Sequence, residues 1–229
     1  VRTAERDFLL FILAAAAGAA DGWSYMGLGH AFVANMTGNT VLIGLGVFTQ
    51  RDLIAPLVSL GCYAVGTAVA AYGTRTVGAR ALWSRAVSWT LLAEGVLMAG
   101  AEVGWALHTS SPSVRVPVRA LLGCVAFAVG LQSGTMLQLD IPGIVTTYIS
   151  GTWTTLMSGL ATFASRERDR PAKEKLQFEE RLLMQAGIVG VYLAAAVLAG
   201  WLSQRAPVAM GVVPSTLVLF VATYGLVLG

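Results

Sequence analysis

The chain has 229 residues, 56% hydrophobic and only 12% charged, with a formal net charge of +3. Soluble domains carry about twice that share of charge, so the composition excludes an ordinary domain with a fully solvated surface. Its two cysteines and two histidines lack the spacing of a disulfide framework or a Cys/His metal centre, and the small positive charge reads as a membrane-orientation signal, not a nucleic-acid footprint.

The apolar residues come in blocks, with charges nearly confined to the gaps. Residues 8–28 are the first block long enough to cross a bilayer, which needs about 20 apolar residues. The block follows Arg2 and Arg6 and lacks a convincing small-residue cleavage site, so it is expected to be a retained span. Asp21 lies well inside it. A carboxylate near mid-bilayer costs about 2.5–3.5 kcal/mol on insertion scales, so Asp21 is a candidate proton- or cation-coupling group or, equally, a hydrogen-bond acceptor that caps nearby backbone.

Block 31–48 is shorter and polar in its middle. It carries Phe32-Val33-Ala34-Asn35-Met36-Thr37-Gly38-Asn39-Thr40 and continues into the apolar run Val41–Phe48. Thr37 is a good N-cap residue, so a short non-helical stretch is expected to lead into a half-length helix starting at Thr37-Gly38-Asn39. Blocks 53–73 and 86–107 follow as full spans. Glu94 and Glu102, two helical turns apart, share a face of the latter. Glu94 is a second candidate for proton coupling.

The second half repeats this order. Block 118–137 ends in Gln132 and Ser133. The polar block 144–164 contains Val145-Thr146-Thr147-Tyr148-Ile149-Ser150-Gly151-Thr152-Trp153, with a half-helix expected from Ser150-Gly151-Thr152. Residues 165–181 form a charged linker, expected to be a cytoplasmic loop leading into an amphipathic helix, and 182–202 and 207–228 are the last two spans. The sequence of span, polar break, span, span therefore occurs twice, in residues 1–110 and 111–229 of one polytopic domain. Transporters are often built from such repeats.

The predicted fold is all-α: about six transmembrane helices plus two re-entrant, broken half-helices, arranged as two inverted repeats. The alternative is eight crossings with parallel repeats. Counting positive charge does not separate them, although both place the basic residues of the linker in the cytoplasm. Re-entry is favoured because the polar blocks are short, and an odd number of spans per half inverts the second half.

Gly18-Ala19-Ala20-Asp21-Gly22 followed by Asn35-Met36-Thr37-Gly38-Asn39 is similar to the signature of the YoaK family (DUF1275) of bacterial membrane proteins. Gly130-Leu131-Gln132-Ser133-Gly134 and residues 147–152 resemble that family's second half. The resemblance covers nearly the whole chain. It implies about six spans and a bacterial inner membrane, and it supplies no substrate, reaction or catalytic residue.

Non-helical backbone at membrane depth is tolerated only when buried in protein or lining a polar cavity. The two breaks are therefore the candidate site. Asn35, Thr37, Gly38, Asn39 and Thr40 on one side, and Thr147, Ser150, Gly151 and Thr152 on the other, are the candidate solute-binding residues. Hydroxyls, amides and free N–H groups at helix N-termini suit a polar or anionic solute. The plainer reading of the same residues is helix capping and helix–helix hydrogen bonding. Tyr25 and Tyr148 flank the breaks as candidate gates.

These residues point to a small secondary transporter or channel-like permease in the bacterial inner membrane, with both termini cytoplasmic, working without cofactor or metal. The alternative is a scaffold or sensor whose breaks assemble a homo-oligomer. No Ser-His or Asp-Asp pair, metal motif or phosphate loop is present, so an enzyme is not expected.

Overall fold

The structure, a computed structural model, describes residues 3–49, 52–75, 83–111, 113, 115–137, 149–168 and 172–228. Among these the elements in chain order are helices α1 (Thr3–Gly27), α2 (Met36–Thr49), α3 (Ile54–Thr74), α4 (Arg85–Ser110), α5 (Val118–Leu137), α6 (Ile149–Arg168) and α7 (Ala172–Arg205), a 3-10 turn (Pro207–Gly211), and α8 (Val212–Leu228), with no strand among the described residues. Six helices are long and apolar enough to cross a membrane: α1, α3, α4, α5, α7 and α8 with its 3-10 lead-in. At 14 residues, α2 spans about 21 Å, short of the roughly 30 Å hydrocarbon layer. The fold is thus the expected all-α membrane protein.

The charged linker is more regular than expected. Helix α6 runs on to Arg168 and α7 begins at Ala172, so most of 165–181 is helical. Phe163 and Phe178 stack at 6.2 Å and hold the two charged ends together.

Glycines set how closely the spans approach. A Cβ on Gly130 would strike the backbone carbonyl of Tyr63, one on Gly134 would meet the Ala70 methyl at 2.9 Å, and one on Gly123 would meet Cys62 Sγ at 3.1 Å. These contacts ascend together in sequence, so α3 and α5 run parallel. The α1–α7 pair is built the same way. A Cβ on Gly18 would strike the Tyr192 carbonyl, one on Gly22 would meet the Ala199 methyl at 2.5 Å, and one on Gly187 would meet the Phe11 ring at 2.5 Å. Close backbone approach through small residues is how helices associate in lipid, where burial of apolar surface gives little drive.

Helices α4 and α8 run antiparallel. Trp105 Nε1 donates to the Pro207 carbonyl at 2.8 Å, Ser215 donates to Glu102 Oε2 at 2.8 Å, and Gly95 faces Leu219 while Gly225 faces Ser88. Helix α4 also packs antiparallel to α5, where Cys124 Sγ donates to the Leu97 carbonyl at 3.6 Å and Gly104 meets Leu121. Helices α1 and α5 are the most enclosed of the six spans. The exposed apolar side chains, such as Val41, Leu45 and Phe48 on α2 and Leu193, Val197 and Trp201 on α7, form the surface that a bilayer covers.

Outside the spans, Asp52 joins the start of α3 to the start of α5. It accepts from the Ile54 N–H at 2.9 Å and pairs with Arg119 at 3.1 Å. The Ile54 N–H and the Arg119 charge hold its carboxyl below the usual carboxylate range.

Candidate functional site

After α1 the chain turns back on itself. Gly29 (φ +119°) and His30 (φ +57°) take left-handed backbone in succession, a reversal that needs a glycine in its first position. Residues 31–35 then return along the end of α1 to Asp21. One Asp21 oxygen, Oδ1, accepts from the backbone N–H groups of Val33 at 2.8 Å, Ala34 at 2.7 Å and Asn35 at 3.4 Å. The other, Oδ2, accepts from the Tyr192 hydroxyl of α7. The Tyr25 ring stacks on Phe32 at 4.9 Å and braces the returning strand of chain. Asp21 is thus the acceptor that a non-helical segment in an apolar setting requires.

The half-helix α2 starts at Met36, and its cap is Asn35 rather than Thr37. Asn35 Oδ1 accepts from the Gly38 N–H at 3.0 Å, a side-chain cap of the ordinary kind. Gly38 is needed for packing, because a Cβ there would lie 2.9 Å from the Phe32 ring. Asn39 is fully buried. Its Oδ1 accepts from the Phe32 N–H at 2.9 Å, and its amide donates to the Phe32 carbonyl at 2.7 Å and to Ser59 at 3.2 Å. Ser59 also donates to the Phe32 carbonyl. Asn39 therefore ties the break to α3. Thr40 is exposed and donates to the Met36 carbonyl of its own helix at 3.0 Å. Of the first cluster, only Asn35 and Thr37 line the cavity described next.

That cavity has a volume of about 680 Å³ and draws on both halves of the chain. The first break supplies Asn35 and Thr37, α3 supplies Tyr63 and Thr67, and α5 supplies Ser133. From the second polar block come Ser150, Trp153 and Thr154 of α6, and α7 adds Tyr192. The remaining contributions are apolar, among them Met36, Leu137 and Ile149. Gly151 is half-buried and Thr152 buried, and neither lines the cavity. Thr147 and Tyr148 lie outside the described residues. Tyr25 faces a separate, smaller hollow of about 400 Å³ beside His30, Asp52 and Pro56.

Two tyrosine pairs cross between the halves at this cavity. Tyr192 donates to Asp21, and Tyr63 donates to Ser133 Oγ at 2.7 Å. Ser133 in turn donates to the Val129 carbonyl at 3.2 Å. Neither tyrosine was among the expected site residues. A signal existed in Gly61-Cys62-Tyr63 and Gly190-Val191-Tyr192, the same Gly-x-Tyr string placed once in the third segment of each half.

Glu94 is fully buried, and neither of its carboxylate oxygens has a hydrogen-bond partner among the described residues. It does not line the cavity. Among the described residues, no three His, Cys, Asp or Glu side chains come together in a way that could hold a metal ion.

The comparisons with known proteins agree with this picture at the level of family. The chain is 33% identical over 162 residues, covering 69% of its own length and 68% of the relative, to the UPF0700 transmembrane protein YoaK of Bacillus subtilis (strain 168). No solved structure matches. Residues 9–225 match the family model described as protein of unknown function (DUF1275). With nearly the whole chain matched and six helices able to cross a bilayer, the chain belongs to the DUF1275 family of transmembrane proteins.

Proposed function

We propose that the protein is a small secondary transporter or channel-like permease of the bacterial inner membrane, and that it carries a small polar or anionic solute through the cavity between the two polar breaks. One observation carries this reading: a single cavity of about 680 Å³ is lined by hydroxyl and amide side chains from both halves. That size falls within the roughly 300–1,000 Å³ of small-molecule sites. A scaffold has no use for such a space, and its breaks are expected to be dry and packed.

The reading includes two inverted repeats, residues 1–110 and 111–229. Exchanging α1–α4 with α5–α8 reproduces the packing. The α3–α5 contact becomes α7–α1, with Gly130 against Tyr63 matched by Gly18 against Tyr192, and Ala70 matched by Ala199. The pair Tyr63–Ser133 becomes Tyr192–Asp21. The α4–α8 contact maps onto itself. Its antiparallel direction supports six crossings, because eight alternating crossings would make α4 and α8 parallel. On this reading α2 and α6 are re-entrant, and both termini are cytoplasmic.

Asp21 is the candidate coupling group. Proton loading there would turn one Asp21 oxygen into a donor and remove the charge that strengthens the bonds from Tyr192 and the three break N–H groups, and so loosen one wall of the cavity. Glu94 stands apart from the cavity and is the weaker candidate.

The test is a thermal-shift screen of the purified protein against a metabolite panel, since a bound solute raises stability by mass action. Flux in proteoliposomes of whatever binds follows, with and without a pH gradient. Binding and flux that survive in wild-type protein and fail in a folded Asp21→Asn variant support the reading. A panel with no hit and no flux sinks it.

A further inference from the structure

The character of the cavity depends on which hydroxyl protons are already in use. Tyr192 donates its proton to Asp21. Tyr63 donates to Ser133, whose own proton goes to the Val129 carbonyl. Thr154 donates to the Ser150 carbonyl at 2.9 Å. Toward the cavity, the two phenolic oxygens and the Thr154 oxygen can therefore offer only lone pairs. Most backbone N–H donors of the first break are engaged as well, which leaves the neutral Asn35 amide and the Thr37, Thr67 and Ser150 hydroxyls among the lining's side-chain donors. The N–H groups of Val33, Ala34 and Asn35 point at Asp21, that of Phe32 at Asn39 and that of Gly38 at the Asn35 side chain. No Lys or Arg is present among the described lining residues.

An anion entering this space would meet only neutral donors, beside the committed phenolic lone pairs, and no cation among the described lining residues to offset its desolvation. A cation would find no free carboxylate among the described lining residues, and both oxygens of nearby Asp21 are already hydrogen-bonded. A neutral solute rich in O–H donors meets matching acceptors. Thr67 Oγ1 is buried, lines the cavity and has no hydrogen-bond partner among the described residues. Buried polar atoms are otherwise nearly always paired, so this one is left for a ligand. Trp153, half-exposed beside Ile149 and Met36, offers an aromatic face to C–H groups.

We infer that the cavity selects a small uncharged polyol, and that Tyr63 and Tyr192 are its specificity-determining residues. The inference rests on the transport reading above and narrows its polar-or-anionic solute to one class.

The test is osmotic swelling of proteoliposomes with sorbitol, gluconate and glucamine, which share one carbon skeleton and differ in charge. Sorbitol is expected to enter well above protein-free vesicles, with gluconate and glucamine near background. Tyr63→Phe removes one acceptor and is expected to slow sorbitol about tenfold, the effect of one hydrogen bond. Ser133→Ala frees the Tyr63 proton to point into the cavity, so the preference for sorbitol over gluconate is expected to narrow. This second variant, checked for monodispersity, covers the case in which Tyr63→Phe does not fold. Entry of gluconate or glucamine at the sorbitol rate overturns the solute class and leaves transport standing. Entry of none of the three overturns the class as well, while transport itself is judged by the metabolite panel.

Discussion

The pairs Tyr192–Asp21 and Tyr63–Ser133 occupy like positions, yet they do different work. In both, a tyrosine from one span donates to a polar residue one turn from a glycine that touches the same tyrosine's carbonyl. Asp21 also gathers three backbone N–H groups of the first break. Ser133 has a hydroxyl in place of a carboxylate and passes its proton to its own helix. Among the described residues, one scaffold thus carries a carboxylate anchor on one side and a hydroxyl relay on the other. A change that is mild at Ser133 is severe at Asp21.

The largest expected effect is therefore at Asp21. Asp21→Ala leaves the buried N–H groups of Val33 and Ala34, the half-buried one of Asn35 and a tyrosine hydroxyl without this acceptor, at about 1–3 kcal/mol for each buried group stranded. We expect loss of folded protein, read as aggregation by size exclusion in detergent. A monodisperse Asp21→Ala variant with unchanged thermal stability would remove the anchoring role. Next come Gly18→Ala and Gly130→Ala, whose new methyls strike the carbonyls of Tyr192 and Tyr63. Overpacking costs typically about 1–3 kcal/mol, and the two variants should lower the melting temperature by similar amounts. Unequal effects would break the equivalence of the halves.

Asn39→Ala removes a buried amide that bridges Phe32 and Ser59, with an expected cost of about 2 kcal/mol, whereas Thr40→Ala, on the exposed side of the same helix, should stay within about 0.5 kcal/mol. Thermal unfolding of the two side by side tests whether the first cluster holds structure or solute. Ser133→Ala is expected to cost less than Asp21→Ala, because it removes a neutral hydroxyl and no buried carboxylate. A loss as large as that of Asp21→Ala would show that the two sides are anchored alike.

Much of this was legible in the chain. The six long apolar blocks became six long helices, because length and apolarity alone suffice for a crossing. The first break was legible as polar residues in a short apolar block. Which of its residues face the cavity was not. Thr37 looked like the cap and Asn39 like a ligand, yet Asn35 caps and Asn39 is buried against α3. Capping depends on where the chain turns, and that turn is set by Gly29, His30 and the distant acceptor Asp21.

The sequence by itself determined the solvent of this protein, its six spans and the placement of two polar interruptions, since these follow from hydropathy and local chemistry along the chain. Only the tertiary structure decided that Tyr63 and Tyr192 join the site and that Asp21 anchors a backbone segment 12–14 residues away in sequence. It also decided that α4 and α8 run antiparallel. The reason is physical: direction and partner choice between helices are set by close contacts of small residues and by shared hydrogen bonds, and a one-dimensional pattern does not encode which glycine meets which carbonyl.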